Sequence, residues 1–138
     1  MFLASENVRK TSADFTRHFD FLTKEFGVKF FSENYSIIGG DTYTRILRNE
    51  YVQVELYGDQ SYFHLKIRRM VDGEPRPYED NNISLGRLAV TVHGEDYKYA
   101  EFYPAIVGWE RVLENTAILF KSSKDLFTSG NWDDIGNK

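Results

Sequence analysis

The sequence of 138 residues contains no cysteine. This absence excludes a disulfide framework, a thiolate nucleophile, a cysteine-ligated zinc site and an iron–sulfur cluster. The three histidines, His18, His64 and His93, fall on different predicted elements, and no two of them share the i, i+4 spacing of a metal-binding helix. We therefore predict that the protein holds no metal and no cofactor.

Motifs of enzyme catalysis are also missing. Gly39 and Gly40 are not followed by the Lys-Ser/Thr pair of a P-loop, and they lack the spacing of a dinucleotide-binding loop. No Gly-x-Ser-x-Gly nucleophile elbow occurs anywhere in the chain. The sequence therefore predicts a protein that is not an enzyme.

Long apolar runs are absent as well. The first ten residues lack the apolar stretch of a signal peptide, and no later segment approaches the ~20 apolar residues that a membrane span needs. We therefore expect a cytoplasmic protein with no membrane partner.

Positive charge is in deficit, since 17 Lys and Arg stand against 21 Asp and Glu and give a net charge of −4. Because the basic residues are also scattered along the chain, we do not expect nucleic acid as a partner. A mildly acidic surface suits a basic protein partner, although solubility alone also explains such a charge.

Aromatic residues are abundant by contrast, with nine Tyr and eleven Phe. Flat, stiff rings supply much of the apolar area for a core, and Tyr hydroxyls remain for polar contacts. The length suits one domain, so we predict a single domain spanning residues 1–138.

One helix is indicated near the start by four apolar residues at i, i+4, i+7 and i+11. These residues are Phe15, Phe19, Leu22 and Phe26. We predict a helix over Ser12–Phe26, with Thr11 or Ser12 as its N-cap and Gly27 just past its end.

Alternation of apolar and polar residues then predicts four strands joined as a meander. They run over Val28–Tyr35, Thr42–Arg48, Tyr51–Tyr57 and Tyr62–Arg69. The fold class is therefore predicted to be α+β, with an N-terminal helix, an antiparallel meander sheet of about four strands and C-terminal helices packed on the sheet.

The last hairpin has a predictable register. If Gly58–Ser61 form its loop, Leu56 pairs with Phe63 and Glu55 pairs with His64, which separates apolar from polar residues. One face should then be buried under the N-terminal helix. Its residues are Val52, Val54, Leu56, Phe63, Leu65 and Ile67.

The strand Thr42–Arg48 is open to two interpretations. A two-residue loop after it places Arg45 on the apolar face, whereas a three-residue loop places Thr42, Thr44 and Ile46 there. We prefer the second.

The segment Val71–Asn82 contains two prolines, a glycine and several acidic or amide residues, so we predict a mobile loop without regular structure. The following segment, Ser84–His93, fits a helix through the spacing of its leucines or a strand through Val90-Thr91-Val92, and we favour the helix.

Two further helices are predicted near the end of the chain. Pro104 can open the longer one, whose apolar stripe runs from Ile106 through Trp109 to Phe120. A short last helix spans Ser123–Phe127, and we expect Trp132 to pin the tail to the body of the protein.

The polar side of the last hairpin is the predicted partner-binding site, because it is rich in Tyr and Arg, which are enriched at interface hot spots. Its residues are Tyr51, Glu55, Tyr57, Tyr62, His64, Lys66 and Arg68. The competing interpretation is that these cross-strand pairs only stabilise a solvent-facing sheet. A Glu55–His64 pair on an open face would be weak acid–base chemistry.

Two strings resemble proteins of known context. Phe21–Val28 at the helix-to-strand junction, and Ser123–Trp132 with its Asp-Leu and Gly-x-Trp elements, are similar to small bacterial proteins that accompany polymorphic or contact-dependent toxins as immunity proteins. The resemblance implies a non-enzymatic inhibitor whose partner is another protein, and the acidic charge of the chain favours a basic toxin domain as that partner. The alternative function is a small-ligand-binding domain with an aromatic-lined pocket between sheet and helices.

Overall fold

The computed structural model describes residues 5–36, 41–77, 82–94 and 98–130. The fold is α+β, as predicted, with an N-terminal helix, a curled antiparallel sheet and C-terminal helices. In chain order the elements are α1 (Glu6–Lys24), β1 (Lys29–Ser36), β2 (Thr42–Arg48), β3 (Val52–Gly58), β4 (Phe63–Val71), β5 (Glu74–Pro75), β6 (Asn82–Ser84), α2 (Leu85–His93), a 3₁₀ turn (Tyr99–Phe102), α3 (Pro104–Val107), α4 (Trp109–Ser122) and α5 (Lys124–Ser129).

Helix α1 begins almost two turns before the predicted start at Ser12. Its N-cap is Ser5, whose Oγ accepts a hydrogen bond from the Val8 N–H at 3.1 Å. The helix continues upstream because Val8 and Thr11 are buried and extend the apolar stripe. Its predicted end is close, since Gly27 follows with a φ of +71°, a conformation that glycine adopts without strain.

The sheet follows the predicted meander through β1, β2, β3 and β4 and gains two short strands, β5 and β6, on the outer edge of β4. The prediction of an irregular loop over Val71–Asn82 is wrong at both of its ends. A tight hairpin joins β4 to β5 through Asp72 and Gly73, whose φ values of +55° and +81° are those of a type I′ turn. The tip of this segment, residues 78–81, lies outside the described residues, so its mobility stays a prediction.

The β3–β4 register differs from the prediction by two residues. Gly58 stays in β3 and pairs with Phe63, so that Leu56 faces Leu65. The turn lies further along because the Asp59 carboxylate accepts hydrogen bonds from the N–H groups of Ser61 and Tyr62, at 2.9 and 2.7 Å. A shift by an even number keeps every side chain on its own face.

The preferred register of β2 is wrong, because Arg45 lies on the core face opposite Leu56. Its guanidinium crosses to α1, where Nη1 donates to Thr16 Oγ1 at 2.8 Å and Nη2 donates to the Ser12 carbonyl at 3.1 Å. Nε donates to the Tyr43 hydroxyl at 3.0 Å. These hydrogen bonds satisfy the N–H groups of the Arg45 guanidinium. The alternation pattern alone predicts no arginine on the core face.

The segment after β6 forms a helix, as favoured, and Ser84 caps it by accepting from the Arg87 N–H at 3.2 Å. The longer helix opened by Pro104 is interrupted at Gly108, whose φ is +92°. The predicted stripe is therefore wrong at its first member, since Ile106 is 64% exposed on the short α3. The last short helix is confirmed as α5, and Trp132 lies outside the described residues.

The core lies between one face of the sheet and the helices. The Phe15 ring, on α1, packs near the rings of Tyr43, Phe63 and Trp109 at centroid distances of 5.7, 5.8 and 6.1 Å. The predicted burial of the apolar hairpin face is confirmed. Its members Val52, Val54, Leu56, Phe63, Leu65 and Ile67 are all buried.

Candidate functional site

The side of the sheet opposite the core carries mostly polar side chains, and we call it the polar face. The strand pairings place on it Lys29, Ser32, Asn34 and Ser36 of β1, Thr42, Thr44, Ile46 and Arg48 of β2, Gln53, Glu55 and Tyr57 of β3, His64, Lys66 and Arg68 of β4, and Asn82 and Ser84 of β6. The helix-to-sheet contacts described above all lie on the other side. The polar face is thus a separate surface built on the same strands as the core.

Glu55 is the centre of a hydrogen-bonded network on this face, and its residue is only 3% exposed. Its Oε2 accepts from Gln53 Nε2 at 2.7 Å, and its Oε1 accepts from the Tyr57 hydroxyl. Arg68 Nη1 lies 3.6 Å from Oε2, and Arg48 Nε donates to Gln53 Oε1. Both carboxylate oxygens are therefore engaged, which leaves Glu55 a structural acceptor rather than an available base.

Positive charge exceeds negative charge on this face. Among its described residues four are cationic, Lys29, Arg48, Lys66 and Arg68, and one is anionic, Glu55, an excess of three positive charges. The Arg68 guanidinium is held in place by donating from Nε and Nη2 to the Arg76 carbonyl at 3.0 and 2.6 Å. A chain with a net charge of −4 therefore presents a locally basic surface.

Three rings form a ladder at one end of the polar face. Tyr57 and His64 have centroids 5.8 Å apart at 31°, and His64 and Tyr62 have centroids 6.3 Å apart at 24°. Burial lowers the pKa of His64, the charge of Lys66 lowers it further, and Glu55 opposes the shift only in part. The imidazole is therefore neutral at pH 7 and can stack as an uncharged ring.

Most of the predicted binding residues come together on or beside the polar face. Glu55, Tyr57, His64, Lys66 and Arg68 lie on it, and Tyr62 lies at the exposed end of the ladder. Whether they bind a partner stays a prediction.

Tyr51 is separate from this group. It lies in the turn before β3 and packs against the core, so close to Gly130 that a Cβ atom there would lie 2.9 Å from the Tyr51 ring. The turn is held by Asn49, whose Oδ1 accepts from the N–H groups of Tyr51 and Val52. The prediction that Tyr51 lies on the polar face is therefore wrong, because the strand alternation was extended into a turn.

Sequence reasoning missed Arg48, which the preferred register of β2 assigned to the core face. The sequence signal that could have corrected the register is the pair Asn49 and Asp59. Each opens a turn by accepting hydrogen bonds from the backbone N–H groups two and three residues later, and the position of a turn fixes which residues of the flanking strands face each other. Arg48 also lies over the exposed ring of Phe31, with its Cζ 3.6 Å from the ring centroid.

A cavity of about 210 Å³ lies beside the exposed end of the ladder. The sheet side of its wall includes Tyr62, Phe63 and His64, and the helical side includes Phe102 and Tyr103. This is an aromatic-lined space between sheet and helices, the geometry that the alternative function requires. The lining also includes the polar residues Ser61 and Ser84.

A second polar cluster joins α1 to α4 on the core side. The buried Asp14 accepts from Trp109 Nε1 at 2.9 Å and from Gln60 Nε2 at 3.0 Å, and it forms an ion pair with Arg17 at 3.0 Å. Burial works against ionisation of Asp14, but the two hydrogen bonds and the charge of Arg17 outweigh it and lower the pKa. The cluster holds the hairpin turn and two helices together.

The exposed edge of this cluster contains Glu110, whose Oε2 accepts from His18 Nε2 at 2.7 Å. Burial raises the pKa of Glu110, but hydrogen bonds from His18 and Arg17 lower it by more, so the carboxylate stays ionised. His18 therefore serves a helix-to-helix contact.

The described residues contain no group of three or more His, Asp or Glu side chains that could hold a metal ion. Within the same part of the chain, no helix has the length and apolar character to cross a membrane. No protein-family model, curated protein or solved structure matches this chain.

Proposed function

We propose that this protein is a non-enzymatic cytoplasmic protein that binds another protein through the polar face and acts as an immunity-type inhibitor of a bacterial toxin. The observation that supports the proposal is the hydrogen-bonded network around Glu55, which holds charged and aromatic side chains in place on a rigid sheet. The resemblance of the two end segments to immunity proteins supplies the toxin context.

Preorganisation is the physical reason why such a face suits binding. Ordering a flexible side chain at an interface costs about 0.5–1.5 kcal/mol, and this cost is lower where the unbound protein already holds the side chain. Tyr57 is held by Glu55, and Arg68 is held by Glu55 and by the Arg76 carbonyl. Both belong to residue types that dominate interface energies.

Local charge decides which partner surface fits. The net charge of the whole chain favours a basic partner, but the polar face itself has an excess of positive charge. Complementary potentials favour association and like charges oppose it, so the docking patch of the partner should be acidic. A basic toxin domain could still bind by presenting an acidic patch, and a uniformly basic one would have to dock elsewhere.

The proposal predicts that a large secreted protein with a toxin domain is encoded directly upstream of this chain, and it is tested by co-expression with that domain. We expect the wild-type chain and Arg111→Ala, an exposed change on α4, to restore growth, and Arg68→Ala to fail when it is expressed to the same level of folded protein. Restored growth by Arg68→Ala, or no rescue by the wild type, would reject the proposal.

A basic face could also attract nucleic acid, which is a different function. Titration of the chain with fluorescent single-stranded and double-stranded oligonucleotides separates the two. We expect no binding at physiological salt, because an excess of three positive charges is small against the 6–10 phosphate contacts that a nucleic-acid-binding protein can make. Micromolar binding that weakens steeply with salt would favour nucleic acid instead.

A further inference from the structure

We propose that the cavity beside Tyr62 binds a small planar aromatic molecule of one or two fused rings that carries a hydrogen-bond acceptor. The proposal does not rest on protein binding by the polar face, because it concerns a different occupant, although Tyr62, His64 and Ser84 border both the cavity and that face. It follows from the rings that line the cavity, its volume and the polar groups on its lining.

The sheet side of the cavity offers a stacking surface. Tyr62 is 59% exposed, although a tyrosine ring normally contributes its large area to burial. One neighbour of this ring is His64, which lies nearly parallel to it and in turn stacks near Tyr57. A planar ligand against Tyr62 would extend this ladder by one ring, in the offset-stacked geometry that aromatic groups prefer.

The helical side supplies a second aromatic wall. Phe102 ends the 3₁₀ turn and is buried, so its position is fixed by the core. Tyr103 follows it and is 42% exposed, although it also lines the cavity. A planar ligand ring that enters between Tyr62 and Tyr103 would cover apolar area on both tyrosine rings. A flexible polar ligand would cover the same area without matching the flat shape of the rings.

The volume limits the size of the occupant. The cavity measures about 210 Å³. An apolar cavity of about 150 Å³ accommodates benzene, and pockets for drug-sized ligands begin at about 300 Å³. A single ring with a substituent, or two fused rings, fits between these limits.

The polar groups explain why the ligand should carry an acceptor. The Ser84 Oγ already accepts from the Arg87 N–H, so its own O–H is the group that can donate into the cavity. His64 is neutral at pH 7 and offers one ring N–H without a charge. A carbonyl or carboxylate on the ligand accepts from both donors, whereas an ammonium group accepts from neither and could use only the unprotonated ring nitrogen of His64.

The experiment is isothermal titration of the full chain with four probes: benzoate, indole-3-carboxylate, benzylamine and cyclohexanecarboxylate. We expect the two aromatic carboxylates to bind and the other two to bind at least about fivefold more weakly, because they lack either the acceptor or the flat ring. Equal affinity for benzoate and cyclohexanecarboxylate, or no binding of either aromatic carboxylate, would overturn the proposal.

Variants locate the binding site. Tyr62→Ala and Tyr103→Ala should each weaken binding of indole-3-carboxylate about five- to tenfold, and Ala105→Phe should abolish it by filling the cavity. The matched control is Phe30→Ala, which removes a similarly exposed ring from β1. Each variant is first shown to melt cooperatively. Binding that is unchanged in both Tyr62→Ala and Tyr103→Ala would also overturn the proposal.

Discussion

At the scale of single residues, the buried carboxylate of Glu55 organises the polar face. Two hydrogen bonds and an ion pair converge on it from Gln53, Tyr57 and Arg68. A buried charge is stable only when its partners are in place. Removing one member of such a group leaves the remaining buried polar groups without a hydrogen-bond or charge partner. A substitution of Glu55 therefore measures how much the network contributes to the free energy of unfolding.

We predict that Glu55→Ala lowers the free energy of unfolding by about 3 kcal/mol, because it leaves the Gln53 amide, the Tyr57 hydroxyl and the Arg68 charge without their carboxylate. Chemical denaturation measures the change. The control is Glu114→Ala, which removes an exposed carboxylate on α4 and should cost less than about 0.5 kcal/mol. Equal, small losses in both variants would show that the network contributes nothing to stability.

Asp14 gives a prediction about pH. Its pKa is lower in the folded protein than in the unfolded chain, so the folded state binds fewer protons over that interval. The stabilisation is therefore fully present above the unfolded value of about 4 and is lost as pH falls through the folded value.

The variant Asp14→Asn should accordingly be less stable than the wild type at pH 7, and the gap should close as the solution is acidified below about pH 4. Urea denaturation at a series of pH values measures it. Asp20→Asn, which changes an exposed carboxylate paired with Lys24, should follow the wild-type curve within about 0.5 kcal/mol. A gap between Asp14→Asn and wild type that does not depend on pH would contradict this account.

At the scale of elements, the packing of α4 on β3 depends on the absence of a side chain at Gly58. A Cβ atom there would lie 2.5 Å from Trp109 Cη2 and 3.0 Å from Phe15 Cζ, both closer than atoms can approach without movement. The glycine thus lets a helix approach the sheet closely, and β3 ends at this residue, one position later than predicted.

We predict that Gly58→Ala destabilises the protein by about 1–3 kcal/mol through overpacking. In the double variant with Trp109→Phe, the loss should be smaller than the sum of the two single losses, because the smaller ring makes room for the methyl group. A double-mutant cycle by chemical denaturation tests this. Additive losses would mean that Trp109 does not set the constraint at Gly58.

The elements also show what alternation in a sequence can predict. The two faces of the β3–β4 hairpin were predictable because an even shift in register leaves them unchanged. The register itself was not, because it depends on the Asp59 turn and on packing between Gly58 and Trp109, which are distant in the chain. For the candidate site, this is why Glu55 and Arg68 were predicted correctly as members of one face and Tyr51 was not.

A different cause explains the errors around the short strands. The Asp72-Gly73 pair is a strong hairpin signal, but the neighbouring prolines suggested an irregular loop. The end of α1 near Gly27 was predictable from local glycine chemistry. Its beginning was not, because Val8 and Thr11 are buried by tertiary contacts that no local pattern contains.

At the scale of the whole molecule, charge and polarity are unevenly distributed over an ordinary acidic chain. The core joins one side of the sheet to α1, α2, α4 and α5, and the other side presents an excess of three positive charges. The asymmetry is a property of the folded state, because the four cations come from three strands, β1, β2 and β4. This asymmetry explains why the net charge of the chain predicted a basic partner, whereas the polar face suits an acidic docking patch.

The most direct test of binding through the polar face is the affinity of variants for the proposed partner, the toxin domain that we expect to be encoded directly upstream, measured by calorimetry together with thermal melting. Arg68→Ala should weaken the complex by about 2 kcal/mol, or roughly thirtyfold, and Lys66→Ala by a smaller amount, whereas Arg111→Ala should leave it unchanged. All three variants should remain folded. An affinity for Arg68→Ala within twofold of wild type, with a lowered melting temperature, would show that these residues stabilise the monomer and do not contact a partner.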